Sequence, residues 1–162
     1  MVGAKVSAPA RAIMDTVANH DMVALGLYDG GQRHFLTVKE SVTSMESLTG
    51  LKTRVAPVKL FLDVWAAAGV NPTPMAWSET FAALQQKVVD GQDNPYMTVN
   101  AMKFDEVQKY VTNIRYIFSI EPLIVSEQLF QSLSAEEQAA VAEAGKVATL
   151  ASADFLRAKE AE

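Results

Sequence analysis

The side chains with the clearest chemical potential in this 162-residue chain are Arg33 and Arg54, each at a position that reads as β-strand. Guanidinium is planar and permanently charged, and its paired N–H groups match the two oxygens of a carboxylate. An arginine held on a strand is therefore a candidate anion receptor. The run Val89-Asp90-Gly91-Gln92-Asp93-Asn94-Pro95 adds Asn94, whose amide can complete such a site as a donor. Spacing alone leaves the plainer reading open for both arginines, a solvated side chain in a weak surface pair. Trp77 follows a Pro-Met-Ala turn and directly precedes a helix start, a position from which an indole can face a cleft.

Other chemistries lack their parts. There is no Cys, which removes thiol nucleophiles, thiolate-bound zinc and redox switches together. His20, between Asn19 and Asp21, reads as a solvated turn residue, while His34 beside Arg33 starts a strand; neither has a second His at metal-ligand spacing. Gly30-Gly31 is followed by a strand and not by a helix N-terminus, so no phosphate cradle is expected and ATP and dinucleotides drop out. The carboxylate pair Glu136-Glu137 lies in the first turn of the last helix, where it suits the macrodipole. No metal and no cofactor is called for. With 14 Lys+Arg against 19 Asp+Glu the formal charge is −5, and no basic cluster forms a nucleic-acid stripe or a polybasic membrane patch. Lys5 and Arg11 interrupt the N-terminal apolar run, so no export signal is visible. The longest apolar stretch, Leu60 to Val70, contains Asp63 and falls short of the roughly 20 residues a span requires. A soluble domain is expected.

The elements that must position these residues alternate in the manner of an α/β protein. The pattern predicts a helix over 4–19, then a buried strand Val23 to Tyr28 closed by Asp29, Gly30 and Gly31, and a second strand from Arg33 to Val38. A turn-like segment, Thr43 to Leu48, leads through Gly50 to a strand Leu51 to Val55. Pro57 suits the first turn of the next helix, which sets Leu60, Phe61, Val64, Trp65 and Ala68 on one face before Gly69 ends it. Two prolines allow only an edge strand from Asn71 to Met75. Ser78 is the expected cap of a helix to Val89, stopped by Asp90-Gly91. Beyond it, 92–99 reads as extended, Ala101 to Thr112 as helical, and Ile114 to Val125 as strand. Ser134 and Glu137 form a capping box for a long C-terminal helix.

The string Gly50-Leu-Lys-Thr-Arg54-Val, then Asn71-Pro-Thr-Pro-Met-Ala-Trp77-Ser-Glu79, Ala83-Leu-Gln-Gln, Val89-Asp-Gly-Gln-Asp-Asn94-Pro95 and Lys103-Phe-Asp-Glu-Val-Gln-Lys-Tyr110 closely resembles one family. It is similar to the solute-binding subunit of tripartite ATP-independent periplasmic (TRAP) transporters, the dicarboxylate- and sialic-acid-binding group. Gly-Gln-Arg33-His-Phe upstream and Glu121-Pro-Leu-Ile-Val-Ser126 downstream extend the resemblance over nearly the whole chain.

The resemblance implies a periplasmic-binding-protein-like α/β fold, two-lobed with hinge-crossing strands, that captures an organic acid and delivers it to TRAP membrane permease subunits. It implies that Arg54 makes the bidentate bond to the ligand carboxylate, that Asn94 assists, and that Arg33 adds positive charge at the cleft. Trp77 stands where Phe is more usual. Its indole would shrink the pocket or face an unsaturated or aromatic acid, or it simply packs. Periplasmic localisation follows from the resemblance alone. The implied division is 1–31 as the end of a first segment of lobe one, 32–119 as lobe two, and 120–162 as a second segment of lobe one, so one lobe is nearly complete and the other partial. Exposed lobe-one edges would then favour a dimer or a companion chain. Two readings compete: a non-binding truncated remnant or interaction fragment, and an enzyme in which His34 or Glu79 beside Arg54 works as acid or base on a carboxylate substrate.

Overall fold

The computed structural model describes residues 7–160. In chain order its elements are α1 (Ala8–Val17), β1 (Met22–Gln32), β2 (His34–Thr37), β3 (Lys52–Val55), α2 (Lys59–Ala67), β4 (Asn71–Pro74), α3 (Trp77–Gln85), β5 (Gly91–Asn94), α4 (Tyr96–Ala101), β6 (Tyr110–Thr112), β7 (Phe118–Ser126), α5 (Glu127–Ser132) and α6 (Ala135–Glu160). They fall into two compact units, one running from Gly31 to Phe118 and the other made of the chain up to Gly30 and from Ser119 onward.

The Gly31–Phe118 unit is built on a five-stranded sheet in the order β4-β3-β5-β2-β6. β3 pairs in parallel with β4 and β5, whereas β2 runs antiparallel to β5 and β6. Prolines 72 and 74 remove donors from β4, which accordingly lies at the sheet edge. Side chains alternate across each strand, so consecutive residues enter different cores. Phe35 and Val55 pack with Val42, Leu48, Trp65 and Val70 on the α2 side. Leu36 packs with Ala83, Leu84, Val89, Val99 and Phe104 on the α3 side. Phe35 and Leu36 are both 1% exposed, and each such side chain contributes about 1.5–3 kcal/mol by leaving water.

In the other unit β1 and β7 form a two-stranded sheet. α6 lies directly against β1: a Cβ on Gly145 would stand 2.6 Å from Leu25 Cβ and 2.7 Å from Leu25 O, so only glycine permits that approach. The expected capping box is formed, with Ser134 N donating to Glu137 Oε2 at 2.8 Å and Glu137 N donating to Ser134 Oγ at 3.3 Å. These bonds hold the Glu137 carboxyl below its ordinary pKa. Among the described residues Leu156 is the buried apolar side chain of this unit, while Ile120, Ile124, Val147, Leu150 and Phe155 are exposed. The hydrophobic core therefore sits in the Gly31–Phe118 unit.

Several sequence expectations are corrected. Residues 4–6 of the expected first helix lie outside the described residues, and the helix itself runs over Ala8–Val17. Asp29, Gly30 and Gly31 do not close β1; the strand continues through them to Gln32, with Gly31 at φ 84°. α2 starts at Lys59, two residues beyond Pro57, and Leu60 and Val64 are exposed. Its inner face is Trp65 with Phe61, Leu62 and Ala68, because the packing stripe is narrower than the run of apolar residues. Ser78 lies inside α3, whose first residue is Trp77 and whose cap, Ala76, makes no side-chain bond. That helix ends at Gln85, with Lys87 at φ 60° turning the chain toward β5. The extended stretch after Gly91 stops at Asn94, and α4 follows. The stretch from Ala101 to Thr112 is a 3-10 turn and then strand β6, since β2 offers it a sheet partner.

Candidate functional site

Arg54 occupies the third position of β3, in register with Gln92 of the parallel strand β5. Asn94 stands two residues beyond Gln92 and so shares its face. Both Arg54 and Asn94 are therefore presented toward the α3 side at the carboxyl ends of parallel strands, a place where ligands commonly meet an open α/β sheet. Two features hold β5 in place. Asp90 accepts from Lys52 N through Oδ2 at 3.0 Å, pinning the start of β3. Gly91 lies so close to β2 that a Cβ would meet Leu36 O at 2.5 Å. The Asp-Gly pair is thus a clamp on strand spacing as well as a helix stop.

Arg54 is 4% exposed. Its Nε and Nη2 donate to Met75 O at 3.2 and 3.0 Å, and its guanidinium carbon lies 5.3 Å from the centre of the Trp77 ring. Among the described residues no carboxylate comes within ion-pair distance of it. Burial pulls the guanidinium below its usual pKa; Asp93 opposes that pull and Arg33 adds to it. An arginine starts so high that it stays protonated at neutral pH.

Arg33 is arranged differently. Its Nε donates to Asp93 Oδ2 at 2.6 Å and its Nη2 to Asp93 O at 2.5 Å, and its guanidinium lies 5.5 Å from the Phe61 ring centre. Asp93 is 2% exposed and also accepts from Tyr116 Oη at 2.5 Å, while Trp65 Nε1 donates to Tyr116 Oη at 3.1 Å. Burial, with the Asp93 charge and hydrogen bond, pushes the Tyr116 hydroxyl well above its usual pKa, so it remains a donor. The positive charge expected of Arg33 is therefore matched by a buried carboxylate. Arg33, Asp93 and Arg54 together carry one net positive charge, with Arg115 a further cation near His34.

Trp77, half-exposed, stands edge-on to Phe104 at 5.4 Å between ring centres and offers its face to Arg54. His34 is buried in register with Asn94, stacked on Tyr96 at 4.1 Å, with Nδ1 unpartnered. Burial and the nearby Arg115 lower its pKa, against a hydrogen bond to Asn113. His20, by contrast, is exposed and Glu79 is exposed on α3. All four predicted residues, Arg33, Arg54, Trp77 and Asn94, thus lie in one unit. Asp93, Tyr116 and the buried pair Gln92 and Gln108 were not singled out from sequence; the signal available was four consecutive residues, Gly-Gln-Asp-Asn, inside a strand that turns out wholly buried. Among the described residues no group of His, Asp or Glu could hold a metal ion, and no helix is long and apolar enough to cross a membrane.

Comparison with known proteins places the fold in a family. Residues 4–162 match the family model DctP, bacterial extracellular solute-binding protein, family 7. A solute-binding protein of Roseobacter denitrificans, RD1_1052, is 43% identical over 113 residues, covering 70% of this chain and 35% of that protein. The sialic acid-binding periplasmic protein SiaP of Vibrio cholerae is 36% identical over 139 residues, covering 86% of this chain and 43% of SiaP. Among solved structures, a TRAP periplasmic solute-binding protein of Sulfitobacter with bound β-D-galacturonate superposes with a TM-score of 0.92 at 31% identity, covering 96% of this chain and 52% of that one. The Roseobacter denitrificans protein with bound L-galactonate gives 0.90 at 34% identity, covering 96% and 52%. The chain spans about half the length, or less, of the relatives it matches. These relatives are solute-binding proteins, not enzymes, and this chain belongs to the DctP family of extracellular TRAP solute-binding proteins.

Proposed function

We propose that this chain carries the carboxylate-recognition half of a periplasmic receptor, in which Arg54, assisted by Asn94, grips an organic acid for delivery to a TRAP membrane permease. The observation that carries this reading is the state of Arg54: a buried cation at the carboxyl end of a parallel strand with no carboxylate partner among the described residues. A buried charge is costly unless it is paired, and a bound carboxylate supplies the missing partner. Trp77 serves as the platform under the guanidinium, and Arg33, neutralised by Asp93, stiffens the neighbouring strand end.

Of the two arginines Arg33 and Arg54, only Arg54 lacks a carboxylate among the described residues, and one unanswered guanidinium favours a monocarboxylate over a dicarboxylate. Galacturonate, L-galactonate and D-erythronate, found in structural neighbours of this chain, each carry one carboxylate on a polyhydroxylated skeleton, and sugar acids of that class are the proposed ligands. Thermal unfolding in the presence of each acid tests the reading. A receptor gains about 2.7 kcal/mol of stability at a ligand concentration one hundred times Kd and returns the acid chemically unchanged. No stabilisation by any carboxylic acid would support the remnant reading, and conversion of the acid the enzymatic one. The exposed apolar side chains of the other unit support a second, smaller proposal, that its surface is covered by a second copy of this chain. Sedimentation of this chain as a monodisperse monomer would contradict it.

A further inference from the structure

Gln92 and Gln108 are 0% and 4% exposed, although neither is a candidate to touch a ligand. They are linked in one chain of amides. Gln108 Nε2 donates to Leu36 O at 2.9 Å, Gln92 Nε2 donates to Gln108 Oε1 at 2.9 Å, and Asn94 Nδ2 donates to Gln92 Oε1. The direction of this chain is forced from its far end. A backbone carbonyl can only accept, so Gln108 must turn its nitrogen to Leu36 and its oxygen to Gln92. Gln92 must then give its nitrogen to Gln108 and its oxygen to Asn94. Reversing any one amide would set donor against donor or acceptor against acceptor in a buried place.

We propose that Gln92 and Gln108 are positioning residues for Asn94, and that the relay fixes which edge of the Asn94 amide faces the ligand. The nitrogen is held toward Gln92, which leaves one N–H to donate to a carboxylate oxygen and Oδ1 without a bond among the described residues. A free asparagine could present either end of its amide, and half of those orientations would set Oδ1 against the carboxylate. The relay removes that choice before the ligand arrives, so the donor is preorganised. The inference rests on the reading that Arg54 and Asn94 hold the carboxylate.

A double-mutant cycle tests it by calorimetry, with whichever of galactonate, galacturonate and erythronate binds this chain best. Gln108→Met keeps the volume but removes both ends of the amide. It is expected to weaken binding about tenfold in the native background and not at all in the Asn94→Ala background, while lowering the melting temperature equally in both. Equal weakening in both backgrounds, or none in either while Asn94→Ala still loses affinity, overturns the relay and leaves the Arg54 reading standing. If Asn94→Ala binds as well as the native chain, the role of Asn94 fails and the relay fails with it. A second measurement needs no variant: the side-chain amide protons of Gln92 and Gln108 are expected to exchange slowly with solvent, and exchange as fast as that of an exposed glutamine contradicts the relay.

Discussion

Arg33 and Asp93 are joined twice, through Nε to Oδ2 at 2.6 Å and through Nη2 to the Asp93 carbonyl at 2.5 Å. The pair explains how two arginines can share one sheet end without repelling the fold apart. One of them is neutralised within the protein, and the other, Arg54, keeps its charge for a partner. Asp93→Asn preserves the shape but leaves Arg33 a nearly buried cation without a counter-charge. Chemical denaturation is expected to show a loss of about 3 kcal/mol, the range found when one member of a buried pair is removed. The same variant raises the net charge of the cluster from one to two, so its preference is expected to move toward dicarboxylates.

The Asp90-Gly91 step owes its glycine to space. With Leu36 O only 2.5 Å from where a Cβ would stand, Gly91→Ala must push β5 away from β2. The expected cost is about 1–3 kcal/mol, as for other overpacked positions. Affinity should fall together with stability, because Asn94 is carried on the displaced strand. Denaturation and calorimetry on the one variant check both; an alanine tolerated without loss would show that the strands can part freely.

His34 gives the acid side of the stability profile a recognisable origin. Its folded pKa is lowered by burial and by Arg115, so below pH 6.5 the unfolded chain takes up a proton that the native chain still refuses. Stability from this group is therefore intact above pH 6.5 and falls as the pH drops toward the lower folded value, with a slope of up to about 1.4 kcal/mol per pH unit. His34→Phe, which retains a ring to stack on Tyr96, is expected to flatten that part of the curve. An unchanged slope between pH 6.5 and 5 would place the titration elsewhere.

Arg54 was legible as a cation on a strand, whereas Arg33 stands between β1 and β2; the edge character of β4 was legible too, because two prolines forbid an interior strand. The capping box of α6 was legible because it is local: Ser134 and Glu137 need only each other. What could not be read depends on distant partners. Asp93 is meaningful only once Arg33 and Tyr116 are beside it, 60 and 23 residues away in sequence. The stretch ending at Thr112 has a helical pattern of apolar residues, yet β2 captures its end as a strand, a tertiary contact that no local pattern announces. The same holds for α2, where apolar Leu60 and Val64 face outward and only Trp65 is fully buried. Charge pairing was the largest omission, since the sequence shows two cations near a site and not that one is already answered.

Calorimetry of Arg54→Lys against the native chain, with the best-bound sugar acid, bears most directly on the assignment of Arg54. Lysine keeps the positive charge but loses both the fork that meets a carboxylate and the paired bonds to Met75 O. If Arg54 grips the ligand, affinity falls by about 2–4 kcal/mol, roughly 30-fold to 1000-fold. Equal affinity in the two proteins would contradict that role and remove Arg54 from the site.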